Sequence, residues 1–82
     1  MKFTVYTKKG CPYCTKIITI LESLSITKGF PIVEYILDTD FTRQQFYDEF
    51  GEGSTFPQVV VADKHLGGCS DTIKYLQENS LL

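Results

Sequence analysis

The chain has 82 residues, three of them cysteine, with a formal charge of −2 and a hydrophobic content of 43%. That is room for one small domain, expected over residues 1–82, with enough apolar side chain to argue against disorder and too little basic charge for a nucleic-acid module. No apolar run approaches the roughly 18 residues needed to cross a bilayer, and Met1-Lys2-Phe3 leads straight into a strand pattern, so a cytoplasmic location is expected.

Lys2 to Thr7 is β-branched and aromatic, alternates, and predicts the first strand. Lys8-Lys9-Gly10 is a turn, and Pro12 suits the first position of a helix, where its missing N–H costs nothing. Ile17, Leu21 and Leu24 then recur at helical spacing, which predicts a helix over Pro12 to Ser25. Lys28-Gly29-Phe30-Pro31 breaks it. Ile32 to Leu37 is nearly all apolar and reads as a buried second strand. A helix between two strands is best accommodated as a parallel crossover. Thr42 and Gln45 match a capping box for a second helix, with Phe46 and Phe50 facing inward and Gly51 as its stop. Glu52-Gly53-Ser54 is expected to be a mobile link. Pro57 to Ala62 predicts a third strand, Asp63-Lys64 a hairpin turn, and His65 to Gly67 a short antiparallel fourth strand. A last helix follows Gly68 and Cys69, with Ser70 as its N-cap, Asp71 in its first turn, and Ile73 and Leu76 inward. The order is β-α-β-α-β-β-α. It implies an α/β fold with a four-stranded mixed sheet flanked by helices.

Cys11-Pro12-Tyr13-Cys14 falls where the first strand hands over to the first helix. A helix N-terminus carries free N–H groups and about half a positive charge, so a thiol there ionises more readily, and the thiolate is the nucleophile. The i, i+3 spacing lets the second sulfur attack a disulfide made by the first. The stretch alone therefore suggests a dithiol redox centre in which Cys11 attacks and Cys14 resolves. An odd number of cysteines also speaks against a structural disulfide framework.

Three motifs taken together carry a family resemblance: Cys11-Pro12-Tyr13-Cys14, Thr55-Phe56-Pro57, and Gly67-Gly68-Cys69-Ser70-Asp71. Over essentially its whole length the chain resembles a dithiol glutaredoxin of the thioredoxin-fold superfamily. Thioredoxins differ in carrying Cys-Gly-Pro-Cys after a tryptophan, and this chain has no tryptophan. The resemblance implies a glutathione-dependent thiol–disulfide oxidoreductase with catalytic Cys11 and Cys14. It implies that Pro57 is a cis-proline facing the cysteines. Phe56 would offer its backbone to the cysteinyl part of glutathione, with Thr55 and Tyr13 flanking the groove. Lys8 would attract the glycine carboxylate and lower the Cys11 pKa, while Ser70 and Asp71 would hold the γ-glutamyl end. Arg43, Gln44 and Gln45 are all candidates for a further contact from the second helix. The implied partners are glutathione and disulfide-bearing or glutathionylated proteins, ribonucleotide reductase among the family's roles. A monomer is expected, with no nucleic-acid or membrane partner and no metal. The chain departs from the family in placing Phe56 where a small residue usually precedes the proline, and in a longer link after the first helix than compact bacterial members have.

Other readings compete. Cys11, Cys14, His65 and Cys69 formally make a Cys₃His zinc set, but the other two motifs would then be coincidence. Iron–sulfur binding through the first cysteine is a habit mainly of Cys-Gly-Phe-Ser members, and Pro12 is unfavourable for it. His65 reads as an exposed strand residue, Lys9 as a solvated turn residue, and Cys69 as a residue placed beside the groove, with a regulatory thiol as the alternative. Asp38, Asp40, Asp48, Glu49 and Glu52 read as a solvated acidic surface.

Overall fold

Alternation along the first strand decides the layering of the molecule. The computed structural model describes residues 1–82. Strand β1 (Phe3–Thr7) buries Phe3, Val5 and Thr7 on one face of the sheet and turns Tyr6 to the other, as a period of two requires. Helix α1 (Pro12–Lys28), strand β2 (Ile32–Ile36), helix α2 (Arg43–Phe50), strands β3 (Gln58–Val61) and β4 (Lys64–Gly67), and helix α3 (Cys69–Glu78) follow. The sheet order is β2-β1-β3-β4. Strand β2 runs parallel to β1, from Phe3 opposite Ile32 to Thr7 opposite Ile36. Strand β3 runs antiparallel to β1, and β4 antiparallel to β3 with an irregularity between Val59 and Val60. The element order and the mixed four-stranded sheet are those expected from the sequence.

The first face holds the aliphatic core. Ile17, Leu21 and Leu24 of α1 and Leu76 of α3 meet Phe3, Val5, Val59 and Val61, with Phe30 closing one end against Phe3 at 4.8 Å. Fully burying such a side chain contributes about 1.5–3 kcal/mol. Two polar side chains are also buried there, and both are satisfied. The Thr7 hydroxyl donates to Glu34 Oε2 at 2.7 Å, and the Thr72 hydroxyl to the Gly68 carbonyl at 2.8 Å.

The opposite face is aromatic. Phe46 of α2, only 1% exposed, packs on Tyr6, Phe41, Phe50 and Phe56. Burial pushes the Tyr6 phenol above its ordinary pKa, with the Glu49 carboxylate and Tyr35 adding to the effect. His65 packs at a tilt against Phe50 and contacts Glu49 Oε2 at 2.8 Å, tying β4 to α2. The capping box is present as expected: the Gln45 N–H donates to the Thr42 hydroxyl, and Gln45 Oε1 accepts from the Thr42 N–H. No helix is long and apolar enough to cross a membrane.

The end of α1, the β3–β4 turn and the link ahead of β3 differ from expectation. Helix α1 runs to Lys28 rather than Ser25, stopped only by Gly29 in the left-handed region, whose N–H reaches the Ser25 carbonyl. Its last turn is polar apart from Ile26, which is 85% exposed, so the apolar rhythm ends before the helix does. The β3–β4 turn is Ala62-Asp63 rather than Asp63-Lys64, because Lys64 already pairs with Val61 and Ala62 takes the left-handed conformation. The link expected to be mobile is a hydrogen-bonded turn: Ser54 donates its N–H to Gly51 and its hydroxyl to Phe50.

Phe46→Ala should therefore cost about 3–5 kcal/mol, read as a lower denaturation midpoint in urea. Ile26→Ala should stay within about 0.5 kcal/mol of the parent protein. Equal losses in the two variants would overturn the assignment of α2 as the cover of the second face.

Candidate active site

The site begins where β1 ends. Lys8, Lys9 and Gly10 carry the chain from the sheet to α1, with Gly10 at a positive φ of 71°. Cys11 is the N-cap of α1, and its Sγ accepts the Cys14 N–H at 3.2 Å. Sulfur thus takes the place usually held by a serine or aspartate oxygen, satisfying one of the orphan donors of the first turn. Pro12 follows in the first turn, as expected. Cys11 and Cys14 are joined as a disulfide with Cα atoms 5.2 Å apart. Cys11 is 9% exposed and Cys14 3%, so Cys11 is the less enclosed residue of the pair.

Facing this turn is the loop ahead of β3. The Phe56–Pro57 peptide bond is cis and Pro57 is buried. Thr55 is held by Gln58, whose Nε2 donates to the Thr55 carbonyl at 3.0 Å. Opposite lies the start of α3. Its N-cap is Gly68, not Ser70: the Gly68 carbonyl accepts the Thr72 N–H at 3.0 Å as well as the Thr72 hydroxyl. The helix therefore starts earlier than expected, and Ser70 and Asp71 are inside its first turn. The signal for this was Thr72, four residues after Gly68 and able to bond back to it.

Tyr13, Thr55, Phe56, Pro57, Ser70 and Asp71 line one groove of about 350 Å³. Six of the seven binding residues expected from the sequence are thereby brought together. The seventh, Lys8, lines a neighbouring cleft with Lys9 and Arg43, and its Nζ stands 5.5 Å from the Phe56 ring centroid. Gln58, Gly67, Gly68 and Cys69 line the groove as well. Gln58 was not legible as a site residue, because it reads as the opening of a strand. Cys69 is a buried free thiol beside the groove. His65 is engaged with Glu49 and Phe50, and no three His, Cys, Asp or Glu side chains converge as a metal site.

Gly67 is required by its surroundings. Its φ is 107°, and a Cβ there would overlap the Asp71 carboxylate. Asp71 thus folds back over the glycine at the mouth of the groove, which explains the spacing of the Gly-Gly-x-x-Asp motif in physical terms.

A family model described as Glutaredoxin matches residues 3–66. The chain belongs to the glutaredoxin family. Human glutaredoxin-1 is 32% identical over 83 residues, covering 99% of this chain and 78% of the human protein. The solution structure of reduced Escherichia coli glutaredoxin superposes with a TM-score of 0.78 at 25% identity, covering 98% of each chain. A buckwheat glutaredoxin–glutathione complex superposes with a TM-score of 0.70 at 23% identity, covering 96% of this chain and 71% of that one. The fold is the thioredoxin/glutaredoxin fold, and the protein is an oxidoreductase of thiols and disulfides with a Cys11/Cys14 pair.

Gly67→Ala should destabilise the protein by about 1–3 kcal/mol. Asp71→Ala should relieve part of that cost in a double-mutant cycle measured by urea unfolding. Strict additivity of the two substitutions would show that no clash with Asp71 exists.

Proposed function

We propose that this glutaredoxin reduces glutathione mixed disulfides and protein disulfides with glutathione as reductant, Cys11 being the attacking sulfur and Cys14 the resolving one. The observation that carries the reading is one groove bordered by the Cys11 turn, the Thr55-Phe56-Pro57 loop and the first turn of a helix. Such a groove supports binding of an extended thiol peptide. The backbone of Phe56 suits the cysteinyl unit, in the manner of an added strand. The first-turn N–H groups of α3 suit the γ-glutamyl carboxylate, and Asp71 its ammonium. The buckwheat protein's complex with glutathione supports the same ligand here.

Among the three candidates on α2, Arg43 is the one we assign to the glycine carboxylate. Gln45 is used in the capping box and Gln44 donates to Asp48, whereas Arg43 shares a cleft with Lys8.

The chemistry is thiol–disulfide exchange. The Cys11 thiolate attacks the glutathione sulfur of a mixed disulfide. The Cys11–glutathione bond forms, the original S–S bond breaks, and the other thiolate leaves with the electron pair and takes up a proton. A second glutathione thiolate attacks the glutathione sulfur of that adduct, giving glutathione disulfide and regenerating Cys11. On a protein disulfide, Cys14 attacks the Cys11 sulfur instead, releasing a dithiol and leaving Cys11–Cys14 oxidised for two glutathione molecules to reduce. Each attack is fastest when the attacking thiol is ionised and the leaving thiol has a low pKa. The Cys14 N–H on Cys11 Sγ and the helix N-terminus favour the Cys11 thiolate. The proposed protein substrates are disulfide-bearing or glutathionylated proteins, ribonucleotide reductase being one family role.

The deciding assay is glutathione-dependent reduction of a small mixed disulfide coupled to glutathione reductase and NADPH. Activity should vanish in Cys11→Ser and persist in Cys14→Ser. Loss in both would point to an obligatory dithiol route, and an inactive parent protein would sink the glutathione reading. Lys8→Ala should raise the Cys11 pKa, followed by thiolate absorbance against pH. An unchanged titration would remove Lys8 from thiolate stabilisation.

A further inference from the structure

We propose that the Phe56 side chain is a positioning residue: its ring is the platform that holds Lys8 and Arg43 together to receive the glycine carboxylate of glutathione, and so makes the protein selective for thiol peptides with that carboxylate free. The inference rests on the glutathione reading above. It adds a role for the side chain of Phe56, which stands where a small residue usually precedes the proline and of which the resemblance implies only a backbone role.

The ring is fixed from behind. Its centroid lies 4.0 Å from that of Phe46, with the planes only 11° apart, and Phe41 lies nearly parallel at 6.2 Å. Phe46 is itself buried among Tyr6, Phe41 and Phe50. No ammonium or guanidinium fits between two rings at that separation, so a cation over Phe56 must use its other face. Two cations do. Lys8 Nζ is 5.5 Å and Arg43 Cζ 6.0 Å from the ring centroid.

These cations come from different elements, one from the turn after β1 and the other from the first residue of α2. Both are exposed. Neither forms an ion pair: the structure's one pair within 4.0 Å is His65 with Glu49. Asp38 is the only carboxylate lining the cleft they share with Lys9. The one side-chain hydrogen bond of Arg43 is a long one to the Tyr47 hydroxyl, 3.4 Å. Two like charges on flexible stems would separate in water. The negative face of an aromatic ring attracts both at once, and it does so without neutralising them. They stay available to a carboxylate.

The arrangement is also placed correctly for the task. Phe56 lines the groove with Thr55 and Pro57, while its ring lies beneath Lys8 and Arg43, two of the residues that line the cationic cleft next door. One residue therefore links the groove to the two cations of the cleft. A leucine in its place would fill part of the volume but would present no quadrupole, and a tyrosine would keep one.

The test compares glutathione with its glycine ethyl ester, each as a mixed disulfide with thionitrobenzoate. In single turnovers of the reduced protein, Cys11 attacks the glutathione sulfur, the adduct forms, and the coloured thionitrobenzoate leaves. The readout is the ratio of second-order rate constants, free acid over ester. The parent protein should favour the free acid by about tenfold, and Phe56→Leu should lower that preference by roughly threefold or more. Phe56→Tyr should keep it. Phe56→Met, which fills the space with a flexible chain, serves as a second non-aromatic variant should the leucine fail to fold by circular dichroism. An undiminished ratio in a folded non-aromatic variant, beside a clear preference in the parent, would overturn the platform alone. A parent ratio near one would instead overturn carboxylate recognition itself. Loss of the ratio in Phe56→Tyr as well would show that packing, not the aromatic face, is what matters.

Discussion

Strand β1 is hydrogen-bonded along both edges and covered on both faces, and the reactive end of the molecule hangs from its last residue. β2 and β3 hold its edges. Aliphatic side chains of α1 and α3 cover one face, and the aromatic side chains of α2 cover the other. A strand so enclosed cannot slide by one residue without moving Phe3 and Val5 to the aromatic side and Tyr6 into the aliphatic core. The turn that follows inherits that fixity. Cys11 therefore meets the N-terminus of α1 at a defined place, and its sulfur can act as the cap.

Charge is distributed around this point with little waste. The N-terminus of α1 faces the sulfur, the N-terminus of α3 faces the far side of the groove, and Lys8 and Arg43 stand over Phe56. Acidic side chains lie mostly elsewhere. Asp48 accepts from Gln44, Asp40 from the Ile36 N–H, and Glu49 contacts His65. Asp71, the one carboxylate lining the groove, and Asp38, the one lining the Lys8–Arg43 cleft, are the exceptions. A chain with net negative charge thus keeps two cations, Lys8 and Arg43, free of ion pairs beside the groove.

Much of this was legible beforehand because local rules and packing agree. The capping box at Thr42, the apolar rhythm of α1, and the alternation of β1 each have one physical meaning, and each was found in place. The Cys11 and Cys14 positions follow from the motif and from the proline beside it. What was not read depended on which of several local bonds the folded chain uses, or on long-range contact. The sequence offers Ser70 as a cap by residue type, but the chain chooses Gly68 because Thr72 bonds back to it. Lys8 was expected at the groove itself; its place over the Phe56 ring depends on where α2 sets Phe46. Gln58 carries no signature at all, since its role comes from the bend at Pro57.

The sheet order has a further consequence for how the site comes into being. Residues up to Ile36 form one β-α-β unit, and residues from the Pro57 bend onward form a β-β-α unit. Within the sheet the two units are stitched together by a single ladder, β1 to β3, in which Phe3 meets Val61 from more than half the chain away. The sulfur pair belongs to the first unit, and Pro57, Ser70 and Asp71 to the second. Neither half owns a groove. The binding surface is a seam, present only once the most distant ladder in the sheet has closed, and chain closure of that kind is the slow, non-local part of folding. A nascent or partly opened molecule would carry the thiols without the groove beside them. The finished groove and the finished fold are, in this architecture, the same event.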